Sequence, residues 1–238
     1  MAVNPSKISV IMVTFNAAKT VQRTLDSIYA QAYPNIEIIV VDGKSTDGTT
    51  DILLANKEKI ASLTIEKDKG VYDAMNKGLD RITGDRVYFI GADDVMLPAF
   101  SDMVHELTDP TAIYYANVFA DGAKRSGNIG TRYRMAKFGV YHQAMIYPAS
   151  VFKKYRYNLK YRISADFALT LVLSGDKNYH FVYKEYTICD FDHTGLSGVT
   201  IDKPFQRDKA WLILRNFGPK IWVRYLVYKY KNRDNPRA

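Results

Sequence analysis

The sequence lacks the residues on which several chemistries depend. A single cysteine, Cys189, occurs among 238 residues. That excludes an intrachain disulfide and a cysteine-built zinc cluster, and it fits a reducing, cytosolic setting. No run of about 18 uninterrupted apolar residues is present, so no transmembrane helix is expected. The opening "MAVNPSKISV" has one lysine and no long apolar stretch, so it is not expected to be a secretory signal. Internal repeats and low-complexity segments are missing too. What remains is a chain 47% hydrophobic and 24% charged, long enough to bury a large core as one domain or two small ones.

The charge is unevenly placed. The net value is +8, and residues 203–238 supply all of it, with ten Lys/Arg against two acids. Residues 1–202 are therefore neutral. A basic tail on a neutral body points to an anionic partner surface. Within it, "WLILRNFGPKIWVRYLVYKYK" is split by Gly218-Pro219 into two helical pieces. Lys220, Arg224 and Lys231 share one side of the second, while Trp222, Tyr225 and Tyr228 lie elsewhere around it. Tryptophan, tyrosine and basic residues together suit the interface of an anionic membrane. The alternative is a C-terminal helix packed on the domain with its charges in water. The body offers no basic groove and no RNA or DNA motif, so no nucleic-acid partner is expected.

The first half alternates strands and helices. "ISVIMVT" (8–14), "IEIIVVD" (36–42) and a strand over 86–91 read as strands buried on both faces. A short strand is expected near 63–66, and helices over about 17–30, after Ser45 and over 71–82, with Asn16 as a cap. This order implies a parallel sheet with a ligand crevice at the strands' carboxyl ends. From about Tyr114 the pattern becomes antiparallel, with Asp121-Gly122 as a hairpin turn. Ser164 to Gly175 reads as a capped helix, and "DHTGLSGVTIDKP" as a loop long enough to bind or cover a ligand.

The strand "VYFIGADDVML" ends on Asp93 and Asp94. Two adjacent carboxylates repel unless something positive lies beside them. Pro98 suits the first position of the next helix, with Leu97 as N-cap, which leaves the pair upstream in the turn. The pair is either a turn-forming element or a site for Mg²⁺ or Mn²⁺, which is commonly held by one or two carboxylates together with substrate phosphates.

The motifs "VTFN", "VVDGKSTDGT", "EKDKGVYDAMNKG" and "IGADD" follow in that order. Together they resemble family 2 glycosyltransferases of the GT-A fold, particularly small bacterial enzymes that build O-antigen, capsule or exopolysaccharide repeat units. The resemblance covers roughly residues 7–197. One departure is "DGKSTDGT" where "DDGSTDGT" is commoner, so Asp42 has no second aspartate behind it.

The resemblance implies a Rossmann-like mixed sheet flanked by helices. Residues 1–113 would be the nucleotide-sugar half, 114–202 the acceptor half and 203–238 a basic amphipathic helical tail. Thr14, Phe15 and Asn16 would wall the base, and Asp42 would bond base or ribose. Lys69, Asn76 and Lys77 would meet phosphate or ribose. Asp93 would reach ribose or metal, Asp94 the metal (Mn²⁺ or Mg²⁺), and His193 would complete the metal shell or touch the diphosphate. Asp192 and Arg162 are weaker rivals for such contacts. His142 and Gln143 would line the acceptor pocket. Asp166, with Ala165 where a glutamate is common, would be the base that accepts the acceptor hydroxyl's proton.

The implied reaction is inverting transfer from a UDP- or GDP-sugar to a saccharide, plausibly on polyprenyl diphosphate at the inner face of the cell membrane. A nucleotidyltransferase is a competing reading, although "VTFNAAKT" carries no glycine for a phosphate loop. A non-catalytic nucleotide-sugar-binding module is another.

Overall fold

The computed structural model describes residues 6–191 and 201–233. Strand β1 (Ile8–Thr14) is buried along its whole length. It runs parallel to β2 (Ile36–Asp42) on one side and β4 (Arg86–Gly91) on the other, and β3 (Ser62–Ile65) extends the parallel set beyond β2. Burial on both faces explains the unbroken apolar run. Val10 and Met12 enter one core and Ile11 and Val13 the other, as the two-residue period of a strand requires. The crossovers are α1 (Val21–Tyr29), α2 (Thr49–Ala55) and α3 (Val71–Leu79).

Beyond β4 the sheet changes sense. A two-residue β5 (Val95–Met96) precedes α4 (Ala99–Val104) and β6 (Ala112–Ala120). β6 turns at Asp121 (φ 51°) and Gly122 (φ 72°) into β7 (Ala123–Arg125). Both residues have the left-handed backbone that an Asp-Gly hairpin turn demands. Helix α5 (Arg132–Phe138) leads to β8 (Met145–Pro148), followed by α6 (Ala149–Lys154), α7 (Ala165–Leu173) and β9 (His180–Asp190). Among the described residues nine strands make one mixed sheet, in the order β3-β2-β1-β4-β8-β6-β9-β5, with β7 beside β6.

Several boundaries differ from the sequence expectation. Helix α1 starts at Val21 because residues 17–20 form a separate turn closed on Ala17 O. Asn16 is not a helix cap: it adopts φ 50°, and its Oδ1 accepts from Thr46 N, which ties the turn after β1 to the turn after β2. Pro98 occupies the N-cap of α4, so the helix starts one residue later than expected. Ser164 caps α7 without a side-chain bond. Instead, Asp202 accepts from Ile163 N (2.9 Å) and Ser164 N (3.1 Å).

The tail forms α8 (Lys203–Phe217) and α9 (Pro219–Lys231), broken at Gly218 (φ 81°). Phe205, Leu212, Ile213 and Tyr225 are buried against the body's second core. Lys209 of α8 is buried too. Its amine donates to Lys137 O at the end of α5 (3.0 Å) and lies among the rings of Phe167, Phe205 and Tyr225. Burial, then the nearby charges of Lys229 and Lys137, push it down to about 8.

At the opposite end of the sheet, the buried Glu37 clamps three segments. It accepts from Ser9 Oγ (2.5 Å), from Thr83 N and Oγ1 and from Gly84 N, and it pairs with Lys7 (2.6 Å). Burial raises its carboxyl, but the bonds from Lys7, Ser9 and Thr83 outweigh burial and pull it down to about 2. A depressed carboxyl adds stability above its unfolded value near 4.5 and loses it as pH falls toward 2. Denaturant melts of wild type and Glu37→Gln should therefore differ at pH 7, by about 1–2 kcal/mol after solvent screening, and should converge as pH approaches 2. A constant gap across that range would show that the ionised carboxylate is not what matters.

Candidate active site

The carboxyl ends of β1, β2 and β4 open onto one edge of the sheet, where an α/β fold places its ligands. A cleft of about 520 Å³ lies there, and Asp93, Asp94, Tyr72, His142, Gln143 and Asp166 are among the residues lining it. Residues that the sequence separates by almost a hundred positions thus meet in one space.

The turn after β4 is held by α1. The Arg23 guanidinium donates to Asp93 O and Thr24 Oγ1 to Asp94 O, both at 2.7 Å. With the backbone fixed, the carboxylates turn toward Gly91. Asp94 is only 1% exposed, and its Oδ2 accepts from Gly91 N (3.0 Å). A Cβ added at Gly91 would come within 2.6 Å of Asp93 Oδ1 and 2.9 Å of Asp94 Oδ2. The glycine therefore leaves room for two acidic oxygens to approach one point. This cradle of hard oxygen donors fits Mg²⁺ or Mn²⁺. Among the described residues no cluster of three His, Cys, Asp or Glu is assembled, so these two carboxylates are the candidate ligands. His193 and Asp192 lie outside the described residues.

Asp166 stands in the first turn of α7, on the opposite element of the cleft. Its Oδ1 accepts from Tyr72 Oη (2.8 Å), which is also 2.8 Å from Ile163 O. Burial, then the charge of Asp166, keep the Tyr72 phenol protonated far above its ordinary range, so it serves as a donor. Tyr72 was not singled out in the sequence. A tyrosine in "GVYDAMNKG" reads as a helix-face residue, and only the packing of α3 on α7 reveals its partner. His142 lines the cleft but is nearly buried. Its Nε2 is 2.7 Å from Tyr157 Oη, its ring stacks on Phe89, and burial lowers its pKa, which favours the neutral imidazole. Gln143 is half-buried in the same wall. Cys189 is fully buried, and burial, then Asp94, push its thiol well up, so it is no nucleophile.

Thr14 Oγ1 is buried without a hydrogen-bond partner among the described residues, and Phe15 is 64% exposed beside Gly43 and Asp68. Asp42, in contrast, is fully buried, and its two oxygens accept from Ser45 N (2.8 Å) and Ser45 Oγ (2.6 Å). It organises the turn after β2. Asn76 exchanges two hydrogen bonds with the Tyr157 backbone, and Lys77 is tied to Glu66, Asp73 and Lys67 O. The exposed Lys69 holds Asp73 through its amide and does not line the cleft. Arg162 does line it.

The mixed sheet flanked by helices, with its carboxylates gathered at the carboxyl edge, has the fold of GT-A glycosyltransferases. Residues 9–171 match the model of "Glycosyl transferase family 2", and the chain belongs to that family. It is 30% identical over 210 residues, 83% of this chain and 81% of the relative, to a "PGL/p-HBAD biosynthesis glycosyltransferase" of Mycobacterium bovis. Among solved structures, S. aureus TarS 1-349 in complex with UDP superposes with a TM-score of 0.75 at 18% identity, covering 96% of this chain and 73% of that one. The mannosyltransferase PcManGT of Pyrobaculum calidifontis, in complex with GDP-Man and Mn²⁺, superposes at 0.65 with 19% identity, covering 96% and 76%. These two likenesses show the fold.

Tyr72→Phe keeps the ring and removes the hydroxyl that meets Asp166 Oδ1 and Ile163 O. A hydrogen bond to a charged group contributes about 1.5–3 kcal/mol. The variant is therefore expected to lose about ten- to hundred-fold in kcat, with KM within about twofold and an unchanged melting temperature. A wild-type kcat would remove the proposed orienting role.

Proposed function

We propose that this glycosyltransferase moves a sugar from a nucleoside-diphosphate donor to a saccharide hydroxyl with inversion, in the synthesis of a surface polysaccharide or glycolipid. The observation that carries this reading is that Asp93 and Asp94 share one cleft with Asp166. The first two carboxylates would hold Mn²⁺ or Mg²⁺. When bound, that cation supplies charge stabilisation to the departing diphosphate. The PcManGT complex with GDP-Man and Mn²⁺ supports this choice, and together with the TarS complex with UDP it keeps both uridine and guanosine donors in view.

A sugar hydroxyl is too weak an acid to attack unaided. Asp166 accepts its proton, and Tyr72 holds the carboxylate toward the cleft. His142 and Gln143 wall the acceptor. With Asp166 acting as a base and not as a nucleophile, a single displacement from the face opposite the leaving group inverts the anomeric centre, as in single-displacement glycosidases. Thr14 and Phe15 flank the base, and Asp93 reaches ribose or metal. Residues 1–202 form the catalytic unit, its first 113 residues serving the donor and the rest the acceptor. The basic tail supports an acceptor carried on polyprenyl diphosphate at the inner face of an anionic membrane.

Two variants test the division of roles in a panel of UDP- and GDP-sugars with Mn²⁺. Asp166→Asn should lower transfer at least about a hundred-fold, while the donor still raises the melting temperature by binding the folded state. Asp94→Ala should lose both transfer and the donor-induced shift. Full transfer by Asp166→Asn would dismiss the base, and a normal shift in Asp94→Ala would dismiss the cation site.

A further inference from the structure

The tail does pack on the body, yet one side of α9 is left to solvent. Val223, Val227 and Tyr230 are 51%, 50% and 70% exposed, and their spacing places them on one stripe of the helix. Beside that stripe run Lys220, Arg224 and Lys231, also exposed. The buried Tyr225 and the partly buried Trp222 and Tyr228 face the domain. Trp222, Tyr225 and Tyr228, which the sequence offered for a membrane interface, therefore pack on the domain, and the basic and apolar stripes face away from it.

The basic stripe continues into the body. The Arg224 guanidinium lies over the Tyr133 ring of α5 (4.2 Å), and Lys137 Nζ lies 3.5 Å from the centre of the Tyr228 ring. Lys137 and Arg134 in turn flank Phe138, which is 55% exposed and lines the catalytic cleft. Helices α5 and α9 carry seven Lys/Arg and no Asp or Glu. A chain of contacts therefore leads from the apolar stripe, through the basic one, to the rim of the cleft.

We propose that α5 and α9 form one docking surface for an anionic lipid bilayer, and that docking turns the Phe138 rim of the cleft toward the membrane. This rests on the proposed lipid-linked acceptor and deepens it, because the acceptor sugar would then enter the cleft from the bilayer side. Cationic residues bordering an exposed apolar stripe match anionic headgroups above an acyl layer. A nucleic acid would leave the apolar stripe in water, and a second copy would bring like charge against like charge.

Sedimentation of the full chain with phosphatidylcholine vesicles, plain or mixed with phosphatidylglycerol, tests the surface. Binding is expected with phosphatidylglycerol only, and it should weaken as salt rises. At about fivefold per basic residue withdrawn, the combined Lys220→Glu, Arg224→Glu, Lys231→Glu variant should bind roughly a hundred-fold less, and Val223→Ser with Val227→Ser several-fold less. An environment-sensitive dye on Phe138→Cys should shift to the blue with phosphatidylglycerol vesicles, while the same dye on Glu58→Cys, at the β3 edge, should not. Equal binding to plain vesicles, indifference to the reversals, a silent dye at 138, displacement of the chain from vesicles by duplex DNA at equal charge, or dimers dispersed by the reversals would each overturn the proposal. Nucleotide release from UDP- and GDP-sugars with Mn²⁺, measured without lipid, keeps the two readings apart. Release without vesicle binding defeats only the docking surface, whereas vesicle binding without release defeats only the catalytic reading.

Discussion

Two like charges held together at the end of β4 are the constraint around which the site is arranged. The backbone that carries Asp93 and Asp94 is held in place by Arg23 and Thr24, which donate to the carbonyls of both residues. Gly91 leaves the space into which their oxygens turn. The pair with its glycine and the two gripping residues come from stretches 70 positions apart, so the parallel pairing of β1 with β4 and the placement of α1 are prerequisites for the acidic pair. A buried carboxylate such as Asp94 is costly unless hydrogen bonds or a cation compensate, and its bond from Gly91 N is one such compensation.

The second carboxylate centre is built by contacts between the two halves of the chain. Tyr72 on α3 reaches across to Asp166 and Ile163. Asp202, at the N-cap of α8, holds Ile163 N and Ser164 N and also accepts from Phe205 N. The tail is thus joined to the turn that aims Asp166, and through Lys209 to the end of α5 beside Phe138. On the proposed reading, the segment that meets the membrane and the segment that orients the base are mechanically continuous.

Much of this was legible in the sequence. The buried strands declared themselves as unbroken apolar runs, the hairpin as Asp121-Gly122, and the family as four motifs in order. The acidic pair, Asp166 and the wall of His142 and Gln143 do meet in one cleft. What the sequence does not show is which partners a polar side chain near the carboxyl edge takes from its neighbours. Asp42 is taken by Ser45, Asn76 by the Tyr157 backbone, and Lys77 by Glu66 and Asp73. Motif position gives a residue's neighbourhood but not the direction of its side chain. Tyr72 is the converse case, a residue without a chemical flag whose role arises from helix packing alone. The tail's two faces likewise needed the fold, since periodicity shows that a helix has sides but not which of them the body covers.

The central claim is that the acidic end of β4 binds a divalent cation together with a sugar-nucleotide diphosphate. It is tested most directly by anomalous diffraction from crystals soaked with Mn²⁺ and a UDP- or GDP-sugar. The account predicts one manganese peak in direct contact with a carboxylate oxygen of Asp94 and with the diphosphate. A diphosphate bound elsewhere, or manganese bound away from Asp93 and Asp94, would contradict it.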